Sequence, residues 1–284
     1  MTRMGLVFGA GGVVGEAFHH GVLRAMEELR IDPASADLIV GTSAGSIVAA
    51  SIRRRSAPGP IRPLTLRGGP PGRRDGALAL WRRPRQLMNG LLLTPELVNG
   101  RIPTDFLSEG LRAKHGDRWP AAALWVVAVR RHDGHRVVFG RDGDPPADIA
   151  SAVAASCAIP AYFAPVDIGG VSYVDGGVHS PTNADLLAPC DLDLVVISSP
   201  MSVQPRAALR PRLDLPLRVM FHRYLSEEVW VLRRHDTQVI RIEPDADVLA
   251  RMGLNMMNGK RIDEVTEAAY RLALRRLRTV VAAA

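Results

Sequence analysis

The stretch ADLIVGTSAGSIVAA (residues 36–50) places an apolar run, a turn of small residues and a second apolar run one after another. DLIVG (37–41) has the length and branching of a buried strand, and AGSIVAASIRRR (44–55) has the spacing of a helix. Between them Ser43 occupies a G-x-S-x-G turn bounded by Gly41 and Gly45. A plain turn needs one glycine. This one forces the serine into a strained, exposed position and clears side chains from around its hydroxyl, which makes Ser43 a candidate nucleophile. Taken alone, the same turn also suits close packing of small residues.

Working outward, GLVFG (5–9) reads as another short buried strand, followed by GAGGVVGEAFHHGVL (9–23). Val14, Phe18, Val22, Met26 and Leu29 then fall on one face of a helix. Strand, helix, strand, helix in that order predicts parallel pairing in an α/β sheet. The glycine loop has three readings. A dinucleotide site needs glycine at the sixth place of the motif, where Val14 stands, and no Gly-Lys-Ser/Thr phosphate loop occurs. A tight structural turn is the second. The third is a set of backbone N–H donors at a helix N-terminus, fixed where negative charge develops on an ester carbonyl. A serine elbow after the neighbouring strand favours the third, because α/β sheets build sites at the carboxyl ends of adjacent strands.

Further along, ALWVVAVR (123–130) and HRVVFG (135–140) predict a hairpin across RHDG, and PADIASAVAASCAIPAYF predicts a helix ending at Pro160. DLDLVVISS (191–199) and TQVIRIEP (237–244) read as buried strands, and KRIDEVTEAAYRLALRRLRTVVAAA as a C-terminal amphipathic helix. Residues 54–76, rich in Pro, Gly and Arg, read as a mobile loop, and 54–100 as a possible lid. That insertion does not divide the pattern, so 1–284 reads as one domain.

The composition, 47% hydrophobic and 23% charged, fits a globular chain able to bury a core. No apolar run reaches the roughly 20 residues of a membrane span, and MTRMGLVFGAGG lacks the features of a signal peptide. Cys157 and Cys190 cannot form a disulfide framework and read as small buried hydrophobes. The expected location is the cytoplasm, with peripheral membrane contact an option. Ten arginines against Asp75 give residues 53–85 an excess of nine positive charges, more than the net +7 of the whole chain. The segment 53–100 is therefore the candidate contact with an anionic membrane surface. A single tryptophan, Trp81, among those arginines offers no row of stacking platforms, so no nucleic-acid partner is expected.

A seryl hydroxyl needs an adjacent base. None of the eight histidines has a context that marks it as one. GGVSYVDGGVHSPTNADLL (169–187) is a better source: Asp175 follows an apolar strand and precedes two glycines, at an open strand end with room around it. The plainer reading of Asp-Gly there is a type I′ hairpin turn. A carboxylate of ordinary pKa, about 3.9, is a weak base for an alcohol, and partial burial is what would raise it.

GAGGVVG with Gly21-Val22-Leu23, then GTSAG, then SCAIPAYFAPV, then VDGG together resemble the patatin-like phospholipases, in that family's order across most of residues 5–190. The resemblance implies a three-layer α/β/α fold with a mostly parallel central sheet. It also implies a lipid acyl hydrolase that uses a Ser–Asp dyad without histidine, metal or cofactor, on a lipid or acyl-ester substrate. By position, Ser43 is the nucleophile and Asp175 the general base. The N–H groups of Gly11, Gly12 and Val13, with Ala44, form the oxyanion hole, and Cys157 to Phe163 shape a wall beneath the site. One departure stands out: the family usually has Arg or Lys where this chain has Val14, which leads to an expected preference for neutral or single-chain esters. The alternatives left open are a catalytically silent membrane-surface or regulatory module and a Ser–His–Asp α/β-hydrolase. Oligomeric state is not legible.

Overall fold

Alternation of side chains along short strands gives the sheet two apolar faces. The computed structural model describes residues 2–55, 100, 102–204 and 212–281. Its strands are β1 (Met4–Phe8), β2 (Leu38–Thr42), β3 (Leu124–Arg130), β4 (Arg136–Phe139), β5 (Val166–Ile168), β6 (Val171–Asp175), β7 (Leu194–Ser198) and β8 (Gln238–Ile242). Hydrogen-bonded neighbours run β5-β6-β3-β2-β1-β7-β8, with β4 also on β3. The pairs β1–β2, β2–β3, β1–β7 and β7–β8 are parallel; β3–β4, β3–β6 and β5–β6 are antiparallel.

On β1, Leu6 and Phe8 enter one core while Val7 enters the other; on β2, Ile39 opposes Leu38 and Val40. The first core is closed by helices α1 (Gly12–Glu28), α2 (Ala44–Arg55), α4 (Ile149–Ser156) and α7 (Ile262–Val281). The second is closed by α5 (Leu215–Arg233), through Leu225, Val229 and Leu232, and by the turn Ala184–Cys190. Two short helices, α3 (Asp105–His115) and α6 (Ala246–Met252), complete the described set. Helices on both faces of a mostly parallel sheet make three layers, as the family resemblance implies. The helix α7 lies directly against α1: a Cβ at Gly21 would sit 2.4 Å from the Thr266 carbonyl oxygen.

The sequence reading places β1, β2, β7, β8, the β3–β4 hairpin, α1, α2 and α7 to within a few residues. It puts the end of α4 at Pro160, whereas the helix closes at Ser156. It misses α5, whose buried stripe includes Arg218 and Glu228 and so breaks the apolar period. Both cysteines are buried. Among the described residues no helix is long and apolar enough to cross a membrane.

Most of the expected mobile loop (54–76), of the possible lid (54–100) and of the membrane-contacting segment (53–100) lies outside the described residues. Arg53 does not, and it corrects part of that expectation. Its side chain is buried and donates to the carbonyls of Ala34 (2.9 Å), Ala36 (2.7 Å) and Ala123 (2.9 Å). Burial lowers its pKa to about 10, so it remains cationic at neutral pH. This first arginine of the basic run ties α2 to the loops before β2 and β3 and does not face a membrane.

Candidate active site

Both glycines of the elbow are required by close approach. A Cβ at Gly41 would lie 2.5 Å from the Ser46 Cα, and one at Gly45 would lie 2.0 Å from the Phe8 carbonyl oxygen. The second contact presses the start of α2 onto the end of β1, which puts the elbow against the glycine loop. Gly45→Ala is therefore expected to destabilise the fold by about 3 kcal/mol or more, read as a drop in denaturant midpoint. Ser43 adopts φ +55°, the left-handed region that costs a non-glycine residue roughly 1–2 kcal/mol. Its backbone is held there on both sides. The N–H donates to Ser156 Oγ (2.9 Å), and the carbonyl accepts from the Ser46 N–H (2.8 Å) and Oγ (2.6 Å). The bend is as expected, but the exposure is not: Ser43 is only 3% exposed.

Asp175 ends β6 and is likewise buried, at 4% exposure, so the open strand end expected from the sequence is closed. Nor is there a type I′ hairpin turn. The chain turns through a 3₁₀ segment, Gly176–Val178, and the Asp175 carboxylate caps it by accepting the Gly177 N–H (2.7 Å). The Asp175 N–H donates to the Ala158 carbonyl (2.9 Å), so the segment read as a wall also anchors the acid. Burial raises the Asp175 carboxyl to about 6; hydrogen bonds from the Ser43 side chain and the Gly177 amide pull in the opposite direction. Cys157 lies beside the same pair, 3.8 Å from Ser46 Oγ, and burial together with the Asp175 charge pushes its thiol well above the usual range.

The register explains how residues so distant in the chain meet. Thr42 pairs with Val127 of β3, and Asp175 pairs with Ala128, the next residue. Strand β4 occupies one edge of β3 from Val126 to Val129. Both β2 and β6 overlap that span, so both must use the other edge. They run toward each other along it and stop end to end, with Ser43 and Asp175 at the junction.

The glycine loop borders this junction, since a Cβ at Gly177 would lie 3.3 Å from the Ala10 Cβ. Several of its amides are committed: Gly9 N–H to the Ser198 carbonyl (3.0 Å), Ala10 N–H to the Pro181 carbonyl (2.7 Å) and Val14 N–H to the Met256 carbonyl (3.0 Å). Among the described residues no acceptor takes the N–H groups of Gly11, Gly12, Val13 or Ala44. These four open α1 and α2, where helix dipoles favour an anion. Gly12 has φ +57°, and a Cβ there would lie 2.9 Å from both the Met256 carbonyl oxygen and the Met257 Sδ. The C-terminal third, which carries no recognisable motif, thus closes onto the loop. The Val14 side chain is buried in the first core, so position 14 presents an apolar side chain and no cation.

Of the histidines, His19 is fully buried beneath the loop. Its Nε2 lies 2.8 Å from the Gly9 carbonyl, which must accept, so Nδ1 accepts from the Ser198 hydroxyl at 2.7 Å. Burial lowers its pKa from 6.5 to about 4. With the folded value depressed, the unfolded chain binds the proton first, and stability falls as pH drops through 6.5 toward 4. Between pH 7 and 4, denaturant titrations should show the wild type losing about 3 kcal/mol more than His19→Asn. His20 is exposed, and His222 is bonded to Glu243 (2.7 Å).

The family model described as patatin-like phospholipase matches residues 6–188, well over half of the chain. The chain belongs to the patatin-like phospholipase family. As a member it is placed among the lipid acyl hydrolases. A search of curated proteins returned no match. Among solved structures, the chain is similar to VipD from Legionella pneumophila at 14% identity and a TM-score of 0.45, covering 98% of this chain and 67% of that one. It is also similar to the type III effector protein ExoU at 15% identity and a TM-score of 0.43, covering 98% of this chain and 53% of that one. In this patatin-like chain, the site residues that sequence reasoning did not single out are Thr42, Ser156, Asn183, Met256 and Met257. Ser156 and Asn183 stand next to or within the stretches quoted above; nothing local distinguishes Met256. Among the described residues, no cluster of three His, Cys, Asp or Glu side chains is arranged to hold a metal ion.

Proposed function

We propose that this patatin-like protein hydrolyses carboxylic esters of lipids through a Ser43–Asp175 dyad and an oxyanion hole of backbone amides, within one domain. The observation that carries this reading is the end-to-end meeting of β2 and β6 on β3, which brings the serine side chain to a buried carboxyl held near 6. At neutral pH such a carboxyl is mostly ionised yet more basic than an exposed one, as a general base must be.

In the proposed sequence, Ser43 Oγ attacks the ester carbonyl carbon as its proton passes to Asp175. The carbonyl oxygen becomes an oxyanion that accepts from the amides of Gly11, Gly12, Val13 and Ala44, donors already oriented before charge develops. Collapse breaks the bond to the leaving alcohol, which takes the proton from Asp175 and leaves an acyl-Ser43. Water then gives a proton to Asp175 and attacks the acyl carbon. The second tetrahedral adduct expels Ser43, which recovers the proton, and a carboxylic acid departs. With valine at position 14, no cation from that position meets a headgroup phosphate, which supports the neutral or single-chain ester preference.

The test is labelling with a fluorophosphonate probe, followed by a panel of triacyl, monoacyl and phospholipid esters. Labelling abolished by Ser43→Ala and turnover of lipid esters are expected. A folded protein that neither labels nor hydrolyses any member of the panel would support the catalytically silent reading.

A further inference from the structure

We infer that Asn183 is a positioning residue that splices the two strand ends bearing Ser43 and Asp175; the inference rests on the dyad proposed above. Where β2 and β6 abut, each is laddered sideways to β3, and something else must hold one end to the other. Two side chains brace that joint, and only the second reaches both strand ends. One is Ser156, which receives the Ser43 N–H and donates to the Val127 carbonyl (2.6 Å). The other is Asn183, fully buried, whose Nδ2 donates to the Ser180 carbonyl (2.6 Å), Thr42 Oγ1 (3.2 Å) and the Gly176 carbonyl (3.4 Å). Thr42 precedes the serine and Gly176 follows the aspartate, so one amide group touches both neighbours of the reacting pair.

The residue type is specified by its surroundings. All three partners of Nδ2 are oxygens acting as acceptors, so that position needs a donor. The Oδ1 atom accepts from Arg136 Nη1 (3.3 Å), and that guanidinium is itself held by Asp185 (2.7 and 2.8 Å), which fixes which way the amide faces. The backbone of Asn183 has φ +53°, a conformation that asparagine tolerates better than most residues. From beneath, the Glu228 carboxylate accepts from the hydroxyls of Ser180 and Thr182 and from the Ala184 N–H, clamping the loop on both sides of Asn183. Gly176 allows no slack, since a Cβ there would lie 2.3 Å from the Val127 carbonyl oxygen. A brace of this kind sets the hydroxyl-to-carboxylate spacing without touching substrate.

The experiment compares wild type, Thr42→Val, Thr42→Ser, Asn183→Asp and Ser43→Ala on one water-soluble ester, with folding checked by circular dichroism. Thr42→Val removes the acceptor at nearly constant shape. Its kcat and its rate of fluorophosphonate labelling should fall about tenfold with KM within about twofold, and Thr42→Ser should restore both, since misplacing a reacting group by a fraction of an ångström acts on the chemical step. Asn183→Asp should lose about a hundredfold in kcat and move the midpoint of its pH–rate profile upward. Should that variant fail to fold, the Thr42 pair decides. A folded Thr42→Val with wild-type kcat and pH midpoint, or a Thr42→Ser as impaired as Thr42→Val, overturns the inference. If wild type is active and Ser43→Ala is not, that failure leaves the dyad standing; an inactive wild type, or an active Ser43→Ala, removes the dyad itself.

Discussion

Ser43→Ala should lower kcat for lipid-ester hydrolysis by roughly 10³-fold or more and abolish labelling by a fluorophosphonate. Only the hydroxyl is lost. The amides of Gly11, Gly12, Val13 and Ala44 stay in place, because the elbow is shaped by Gly41 and Gly45 and by backbone bonds to Ser156 and Ser46. Below pH 5, where the Asp175 carboxyl is mostly neutral, stability should therefore change by less than about 1 kcal/mol, since alanine meets the same left-handed strain as serine. Ser43→Gly separates the two effects: it should be equally inactive but more stable than Ser43→Ala by roughly 1 kcal/mol, because glycine carries no penalty at φ +55°. Undiminished turnover in Ser43→Ala would show that the nucleophile lies elsewhere.

The second large effect belongs to Asp175→Asn, and it has opposite signs on rate and stability. Loss of the proposed general base should reduce kcat/KM by roughly 10²–10⁴. In the wild type, kcat/KM should rise with pH to a plateau with a midpoint close to 6, the value to which burial lifts this carboxyl; the variant should lack that limb. For stability, the folded value lies above the ordinary 3.8, so the folded state binds the proton more tightly than the unfolded chain. Wild-type stability from this group is then greatest below 3.8 and is lost as pH rises through 6. At pH 8 the buried charge costs on the order of 3 kcal/mol. Asparagine removes that cost while its oxygen still accepts the Gly177 N–H, so the variant should be about 1–3 kcal/mol more stable at pH 8 and no more stable below pH 4. A variant as unstable at pH 8 as the wild type would mean that Asp175 is not ionised in the folded protein.

Two features of the site differ in how far they could be read before folding. The elbow is local: Gly41, Ser43 and Gly45 lie within five residues, and the turn they impose follows from stereochemistry. His19 illustrates the other case. It sits on a readable helix, yet its role under the glycine loop depends on Ser198, a residue of another strand. Arg53 is similar: the charge run around it suggests a surface, and only the arrangement of three carbonyls from two separate loops turns it inward.

The amino-acid order by itself determines the strand–turn–helix units, the glycine loop that opens the first helix and the class of fold, because glycine stereochemistry and apolar periodicity act over a few residues. Tertiary structure alone decides that β6 runs against β3 and stops where β2 stops, that the carboxyl there is buried and raised, and that Met256 and Asn183 close on the site. Register along a shared strand edge and removal of water both arise from contacts between segments far apart in the chain, and no local pattern encodes them.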